Sequence, residues 1–205
     1  MASVNSDRAV GSALTIPTAV KIIVSGGFGA GKTTMVGSVS EIRPLRTEEM
    51  LTEASIGVDD LAGLDRKATT TVALDFGRIS INPRLMLYLF GTPGQDRFWF
   101  MWDELVNGAL GAVVLADTRR LDACFAAIDF FEDRRLPFVV AVNRFDGGPN
   151  YNAGTVRNAL DLDPDVPILL TDARQREASK AVLVTLVETA IKKWDRTGQP
   201  VGRRY

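Results

Sequence analysis

The feature of this sequence that most restricts its fold is a glycine-rich motif between an apolar run and a helical segment. The residues GGFGAGKT, from Gly26 to Thr33, follow the apolar run 20–24 and match the pattern GxxxxGK[ST]. Glycines let successive backbone N–H groups converge on a phosphate at the start of the following helix. We therefore predict a phosphate-binding loop in which Lys32 reaches the β- and γ-phosphates and the Thr33 hydroxyl binds Mg²⁺. The predicted phosphate contacts come from Gly26, Gly27, Gly29, Ala30, Gly31, Lys32, Thr33 and Thr34.

Apolar runs alternate with segments of helical spacing along the rest of the chain. This alternation predicts an α/β fold, a doubly wound, mostly parallel six-stranded sheet flanked by helices. The second and third strands are close enough to form a hairpin. The segment 41–68 has no clear period and is predicted to be a long mobile connection. The predicted strands are 20–24, 71–81, 85–90, 112–116, 138–142 and 168–170.

The composition fits one globular domain. The chain has 205 residues, and we predict a flexible tail over 1–18, the domain over 19–197 and a short tail over 198–205. A formal net charge of −1 gives no global attraction to nucleic acid or to an anionic membrane. The one cysteine, Cys124, excludes an intrachain disulfide, fits a reducing cytoplasm and is predicted to be an inert packed thiol. The absence of histidine excludes histidine-based metal sites.

A second motif indicates which base is bound. The predicted strand 138–142 runs into Asn143-Arg144-Phe145-Asp146, a variant of the NKxD motif. The Asp146 carboxylate can accept hydrogen bonds from N1–H and the N2 amine of guanine, whereas adenine would leave it unpaired. We expect Asn143 to support the loop and contact the base, and Arg144 to lie along the purine face. After the last predicted strand, Asp172, Ala173 and Arg174 form the loop expected to contact guanine O6.

A third motif, Gly91-Thr92-Pro93-Gly94-Gln95, resembles the DxxGQ element of Ras-like proteins. Gly94 is predicted to donate its N–H to the γ-phosphate, and Gln95 to orient the attacking water. Gly91 stands where that element has the aspartate of the Mg²⁺ water shell. One metal contact is therefore missing or supplied from elsewhere. Asp117 is a conceivable substitute, although a structural cap is the preferred interpretation of this residue.

A threonine is expected to close over Mg²⁺ and the γ-phosphate just before the second predicted strand. Of the run 69–71 we select Thr71 first and Thr70 second, although β-propensity alone also places threonine there. Arg66 or Lys67 could act as an internal arginine finger. The aromatic segment 96–102 is either core or an exposed partner surface. The predicted catalytic residues are Gln95, Lys32 and Thr71, and the predicted metal ligands are Thr33 and Thr71.

Together these motifs resemble the Ras-like small GTPases over most of the chain. The strings GGFGAGKTT, TTTVALDFGRI, LFGTPGQDRFWFMW and VNRFD, with the long 41–68 insert, are similar to the actinobacterial conservon GTPases of the CvnD type, which are related to MglA-like proteins. That family commonly has glycine at the position of Gly91. The resemblance implies GTP/GDP and Mg²⁺ as cofactors. It also implies a roadblock-domain-type regulator and a sensor-kinase-like complex as partners, and a cytoplasmic location peripheral to the membrane through those partners.

Three functions remain open at this point. The first is a GTP/GDP-dependent switch that hydrolyses GTP slowly or with partner assistance, favoured by Gln95 and the threonine run. The second is a nucleotide-loaded adaptor without autonomous hydrolysis, favoured by Gly91. The third is a P-loop ATPase or kinase, which would leave Asp146 unexplained.

Overall fold

A computed structural model describes residues 17–52, 69–94 and 101–198. The predictions made for the two chain ends, for Arg66 and Lys67, for Gln95 and for residues 96–100 lie outside these ranges. None of the helices in the described ranges combines the length and the hydropathy that a membrane-spanning helix needs.

Within these ranges, seven strands form one sheet in the order β2-β3-β4-β1-β5-β6-β7. On one side of β4, the strands β1, β5, β6 and β7 are parallel to it. On the other side, β3 pairs antiparallel with both β4 and β2. This arrangement confirms the predicted doubly wound α/β class. The strands are β1 (Thr18–Gly26), β2 (Leu45–Thr52), β3 (Thr69–Asn82), β4 (Leu85–Gly91), β5 (Ala109–Asp117), β6 (Phe138–Asn143) and β7 (Ile168–Thr171).

At the antiparallel edge of the sheet the structure confirms one prediction and corrects another. The β3–β4 hairpin is present, with Asp75 paired opposite Gly91. The prediction that 41–68 is one long mobile connection is wrong in part. Leu45–Thr52 forms β2, a strand additional to the six predicted, and pairs with β3 along its length. Its sequence, LRTEEMLT, carries charged residues in a row, which conceals the strand pattern. Residues 53–68 lie outside the described ranges.

Helices cover both faces of the sheet and form two apolar layers. Alternation along β1 sends Ile22 and Val24 to one layer and Ile23 to the other. The first layer packs under α1 and α5, and the second contains the side chains of α2, α3 and α4. The helices of the described ranges are α1 (Lys32–Val39), α2 (Trp102–Val106), α3 (Phe125–Asp133), α4 (Ala153–Ala159) and α5 (Arg176–Thr197), and Leu121–Cys124 forms a 3-10 turn.

The carboxyl ends of the parallel strands meet at one edge of the sheet. There β1 ends at Gly26, β5 at Asp117, β6 at Asn143 and β7 at Thr171. Open α/β sheets bind ligands outside this edge. The fold therefore brings together three loops whose residues are far apart in sequence.

Candidate functional site

The glycine-rich loop after β1 is held in a conformation that side chains would prevent. Gly31 has φ of 105° and precedes α1, and a Cβ at this position would lie 2.5 Å from Asn143 Nδ2. Gly26 has φ of 139°, and its Cβ would lie 2.4 Å from the carbonyl oxygen of Leu115. The loop thus runs close to β5 and to the end of β6 and enters α1 with its first N–H groups free of intrahelical acceptors, the arrangement that binds phosphate.

Lys32 lies inside this loop. Its Nζ donates to the carbonyl oxygens of Gly26 and Gly27, each at 2.8 Å, and the residue is buried. Burial lowers the pKa of Lys32 to about 8, and the negative charge of Asp75 partly opposes this effect. Gly94 closes the other side, since a Cβ there would lie 2.7 Å from Nζ and 3.0 Å from the Phe28 Cα. Loop, ammonium group and Gly94 together form a cradle suited to phosphate.

The Thr33 hydroxyl has a carboxylate beside it. Thr33 Oγ1 donates to Asp75 Oδ2 at 2.5 Å, and Asp75 is 8% exposed. Asp75 lies on β3 opposite Gly91, and a Cβ on Gly91 would lie 3.0 Å from the Asp75 Cβ and 3.3 Å from Oδ2. Asp75 therefore fills the volume that an aspartate at position 91 would use. The sequence interpretation assigned no role to this residue.

This pair fits a Mg²⁺ ion. The described residues contain no group of three or more histidine, cysteine or acidic side chains that could hold a metal. Magnesium does not need such a group, because it is commonly bound by one or two protein oxygens together with phosphate oxygens and waters. A hydroxyl and a carboxylate at the mouth of a phosphate cradle are therefore a suitable set of donors.

Asp117, the substitute considered from the sequence, has a different role. Its carboxylate accepts from the backbone N–H of Arg119 at 3.0 Å and from the Arg119 guanidinium at 2.6 Å and 2.8 Å. The hydrogen bond from the Arg119 side chain is the main reason that the pKa of Asp117 is below its ordinary value. The Arg119 guanidinium also lies over the Phe145 ring, 3.8 Å from its centre. Asp117 thus stabilises the loop after β5, as the cap interpretation predicts.

Asn143 connects the three loops of the site. Its Nδ2 donates to the carbonyl oxygen of Ala30 at 2.9 Å, and its Oδ1 accepts from the Ala173 N–H at 2.9 Å. Asn143 is buried, so breaking either bond would leave a buried polar group unpaired. The Arg144 N–H adds a bond to the Thr171 carbonyl at 2.9 Å, and the Arg144 side chain is exposed. The structure therefore brings the phosphate loop and the predicted base loops together.

Asp146 stands at the exposed end of this group and is paired with Arg174. Two nitrogens of the Arg174 guanidinium donate to the two carboxylate oxygens of Asp146, at 2.6 Å and 3.0 Å. The same guanidinium donates twice to Asp172, each at 2.9 Å. Hydrogen bonds from Arg174 hold the pKa of Asp146 below its ordinary value and lower the pKa of Asp172 to about 2.

The remaining predicted site residues are three threonines of α1 and β3. Thr34 lies exposed in the first turn of α1. Thr70 and Thr71 belong to β3, where the Thr71 backbone pairs with Met50. Thr71 is four residues from Asp75 along the strand, roughly 13 Å at about 3.3 Å per residue. The described backbone does not bring Thr71 to Thr33, and its proposed metal contact stays a prediction.

A second depression lies at the opposite edge of the sheet. It has a volume of about 550 Å³ and is lined by Phe138 at the start of β6, by Val166 before β7 and by Lys193 on α5. None of the predicted site residues lines it. The nucleotide-site residues therefore form a separate group at the carboxyl edge.

Solved structures with a similar fold include small GTPase domains. The Arl6 BBS3 small GTPase from Trypanosoma brucei, with a bound nucleotide analogue GppNp, has a TM-score of 0.60 at 18% identity, covering 85% of this chain and 99% of that one. The G domain of the T. maritima FeoB iron transporter has a TM-score of 0.59 at 14% identity, covering 84% and 99%. The chain therefore has the α/β fold of a small G domain, with a P-loop sequence motif after β1.

Sequence comparison gives the family. The model of the family described as "Conserved hypothetical ATP binding protein" matches residues 24–193, and the chain belongs to that family. An uncharacterized protein of Methanocaldococcus jannaschii, MJ1339, is 28% identical over 131 residues, covering 63% of this chain and 72% of that protein. A probable translation initiation factor IF-2 of Thermofilum pendens is 25% identical over 181 residues, covering 86% of this chain and 28% of that protein.

Proposed function

We propose that this protein binds GTP and GDP with Mg²⁺ and acts as a nucleotide-dependent signalling switch, hydrolysing GTP slowly or with partner assistance. The observation that carries the proposal is the position of Asn143. It is hydrogen-bonded to both the phosphate loop and the Ala173 loop, three residues before an exposed carboxylate at Asp146. A purine whose phosphates lie in the cradle would therefore meet Asp146 with its base.

The choice of guanine over adenine rests on Asp146. A carboxylate only accepts hydrogen bonds, and the N1–H and N2 amine of guanine are two adjacent donors. Adenine has an acceptor at N1 and would face the carboxylate with a repulsive contact. The family description names ATP, but the chemistry of this side chain favours the guanine nucleotide.

The residues proposed to hold Mg²⁺ are Thr33 and Asp75, which already lie within hydrogen-bonding distance of each other. When bound, the ion would neutralise charge on the β- and γ-phosphate oxygens. Lys32 would hold the same oxygens from the other side, and Gly94 would bring its backbone against the terminal phosphate. Asp75 also supplies the carboxylate that Gly91 cannot, which weakens the argument for an adaptor unable to hydrolyse GTP.

The switch role is proposed from the position of the γ-phosphate cradle. A Cβ on Gly91 would crowd Asp75 and a Cβ on Gly94 would crowd Lys32, so the residues that end β4 and follow it, 91–94, lie at the cradle. Order in a segment at this place depends on the terminal phosphate in proteins that switch on hydrolysis. The resemblance to conservon GTPases supports a roadblock-domain-type regulator and a sensor-kinase-like complex as partners, peripheral to the membrane.

The experiment that tests this function is direct binding of GDP, GTP and ADP in the presence of Mg²⁺. We expect guanine nucleotides to bind and ADP to bind far more weakly. Asp146→Ala should lose on the order of 100-fold in GDP affinity, since it removes two hydrogen bonds to a charged group. Asp165→Ala is the matched control, because Asp165 is an exposed acid at the opposite edge. Its GDP affinity should be unchanged.

Phosphate release from the GTP sample then separates the two guanine-specific functions. Slow release without a partner supports a switch that hydrolyses GTP on its own, whereas no release in the absence of a partner supports an adaptor that needs an activator. Equal or stronger binding of ADP would overturn the guanine assignment and favour a P-loop ATPase or kinase.

A further inference from the structure

The carboxylate edge of Asp146 is engaged by the protein's own Arg174. Two parallel N–H···O bonds join the guanidinium to the two oxygens of Asp146, at 2.6 Å and 3.0 Å. This is the bidentate pairing in which two donors share the two oxygens of one carboxylate. Both side chains are exposed, Asp146 at 86% and Arg174 at 56%, so neither is fixed by packing.

Guanine would approach the same edge with the same donor pattern. Its N1–H and N2 amine form, around the carbon between them, a fragment with the chemistry of a guanidine group. The bidentate edge of one carboxylate accommodates one such pair of parallel donors. Pairing of Asp146 with Arg174 and pairing of Asp146 with guanine therefore exclude each other.

Arg174 has a second partner that would retain it after it leaves Asp146. Its Nε and one terminal nitrogen donate to Asp172 at 2.9 Å each, and the Arg174 backbone N–H donates to Asp172 Oδ1 at 2.9 Å. Asp172 is only 17% exposed and stays close to the backbone it binds. Arg174 thus keeps a carboxylate partner when its bonds to Asp146 are broken.

Resting on the proposed guanine-binding function, we propose that Arg174 is an internal competitor of the guanine base: it occupies the base-reading edge of Asp146 and is displaced when guanine binds. The displacement lowers affinity for guanine nucleotides and leaves adenine nucleotides unaffected, because adenine cannot replace Arg174 on the carboxylate. Arg174 is in this way a specificity-determining residue that also sets how readily the base site releases its ligand.

Arg174→Ala tests this competition. The exposed ion pair between Arg174 and Asp146 stabilises only the protein without bound nucleotide. Its removal should therefore tighten GDP binding by about 2- to 5-fold. ADP affinity should not change. Loss of a positive charge near the site would by itself weaken the binding of both nucleotides, so a selective gain for GDP distinguishes competition from a general electrostatic effect.

Arg196→Ala is the matched control. Arg196 is an exposed arginine whose ion pair with Asp165 lies at the opposite edge of the sheet, so the variant removes the same charge without touching Asp146. Its affinities for GDP and ADP should equal those of the unaltered chain. Thermal unfolding of both variants verifies that they are folded.

The outcomes separate this inference from the function on which it rests. GDP affinity that is unchanged or weaker in Arg174→Ala, with GDP still bound by the unaltered chain, overturns the competition and leaves guanine binding in place. Failure of the unaltered chain to bind GDP overturns both. A gain of equal size for GDP and ADP also contradicts the inference.

Discussion

At the scale of single residues, Asp75 and Gly91 face each other across β3 and β4, and their side-chain positions converge on one volume. A glycine at 91 is what allows a carboxylate at 75 to fit beside Thr33, since a Cβ on Gly91 would already crowd it. The two positions therefore depend on each other. We expect Mg²⁺ to bind well when one of them is aspartate and the other is glycine.

Exchanging the two residues tests this pairing. Asp75→Gly should weaken Mg²⁺ binding to the GDP complex by about 10- to 100-fold, because it removes a metal ligand. Gly91→Asp alone should destabilise the fold by about 1–3 kcal/mol through crowding and like-charge repulsion. The double variant Asp75→Gly/Gly91→Asp should recover both properties. Mg²⁺ titration with a fluorescent GDP and urea unfolding are the measurements.

The control for the exchange is Asp165→Asn, which alters an exposed acid far from the cradle. It should leave Mg²⁺ affinity and stability unchanged. A double variant that binds Mg²⁺ no better than Asp75→Gly would contradict the role assigned to Asp75.

Most residues of this candidate site can be identified from the sequence because its motifs are local. The glycines, Lys32 and Thr33 are adjacent in the chain, and Asn143 follows a strand of plain apolar pattern. Asp75 was missed because it belongs to no such motif. The apolar residues on either side of Asp75, Leu74 and Phe76, suggest that they form the buried face of β3. In the structure Phe76 instead packs on Tyr88 and Phe90. The buried residues of this part of the strand are Asp75, Gly77 and Ile79. Phe76 and Ile79 are three positions apart instead of two, so the alternation of apolar residues shifts by one residue between them. This shift was the sequence feature that could have indicated that Asp75 is buried.

At the scale of elements, α1 and β3 approach each other at a glycine. A Cβ on Gly77 would lie 2.7 Å from Val36 Cγ1 and 3.2 Å from Ser40 Oγ. The Ser40 hydroxyl also accepts the Arg78 N–H at 3.2 Å, which fixes the end of α1 on the strand. Helix α1 begins with Lys32 and Thr33, so this contact helps to set the position of the phosphate cradle.

Two glycine-to-alanine substitutions distinguish the effect of this contact on stability from the effect of helix propensity. Gly77→Ala should destabilise the protein by about 1–3 kcal/mol, because α1 must move off β3. Gly37→Ala, within α1, meets only Pro44 Cγ at 4.0 Å and should stabilise by about 0.5–1 kcal/mol. Urea unfolding measures both changes. A Gly77→Ala protein as stable as the unaltered chain would show that α1 and β3 do not pack as described.

Strand β2 illustrates why elements are harder to predict than motifs. Apolar and polar residues alternate poorly along its sequence, and its backbone pairs with β3. Pairing with a distant strand leaves no periodic trace in sequence. By contrast, β5 and β6 are buried on both faces, so they read as continuous apolar runs and were predicted without difficulty.

At the scale of the whole molecule, Cys124 reports on global opening. The thiol is 1% exposed, and burial raises its pKa to about 11, so at pH 8 it is protonated and enclosed. A thiol reagent should therefore react only when the core opens. GDP at about 100 times its Kd should slow the reaction about 100-fold, since it binds only the native state.

The matched control is Cys124→Ser/Glu177→Cys, which moves the one thiol to an exposed position near the start of α5. It should react at once with or without GDP. Rapid labelling of Cys124 in the unaltered chain would contradict the burial described for the second core layer.

The position of Asp75 on β3 has a mechanical consequence. Among the described strands the β2–β3 edge pairs with the parallel sheet through β4, and the end of α1 also contacts β3, while Thr33 belongs to the start of that helix. The Thr33–Asp75 pair therefore bridges a seam between the antiparallel edge and the parallel body. Tension applied to β2 would be transmitted along β3 to this bridge before it reached the parallel strands, so a partner pulling on that edge could loosen the metal while the rest of the domain stayed intact.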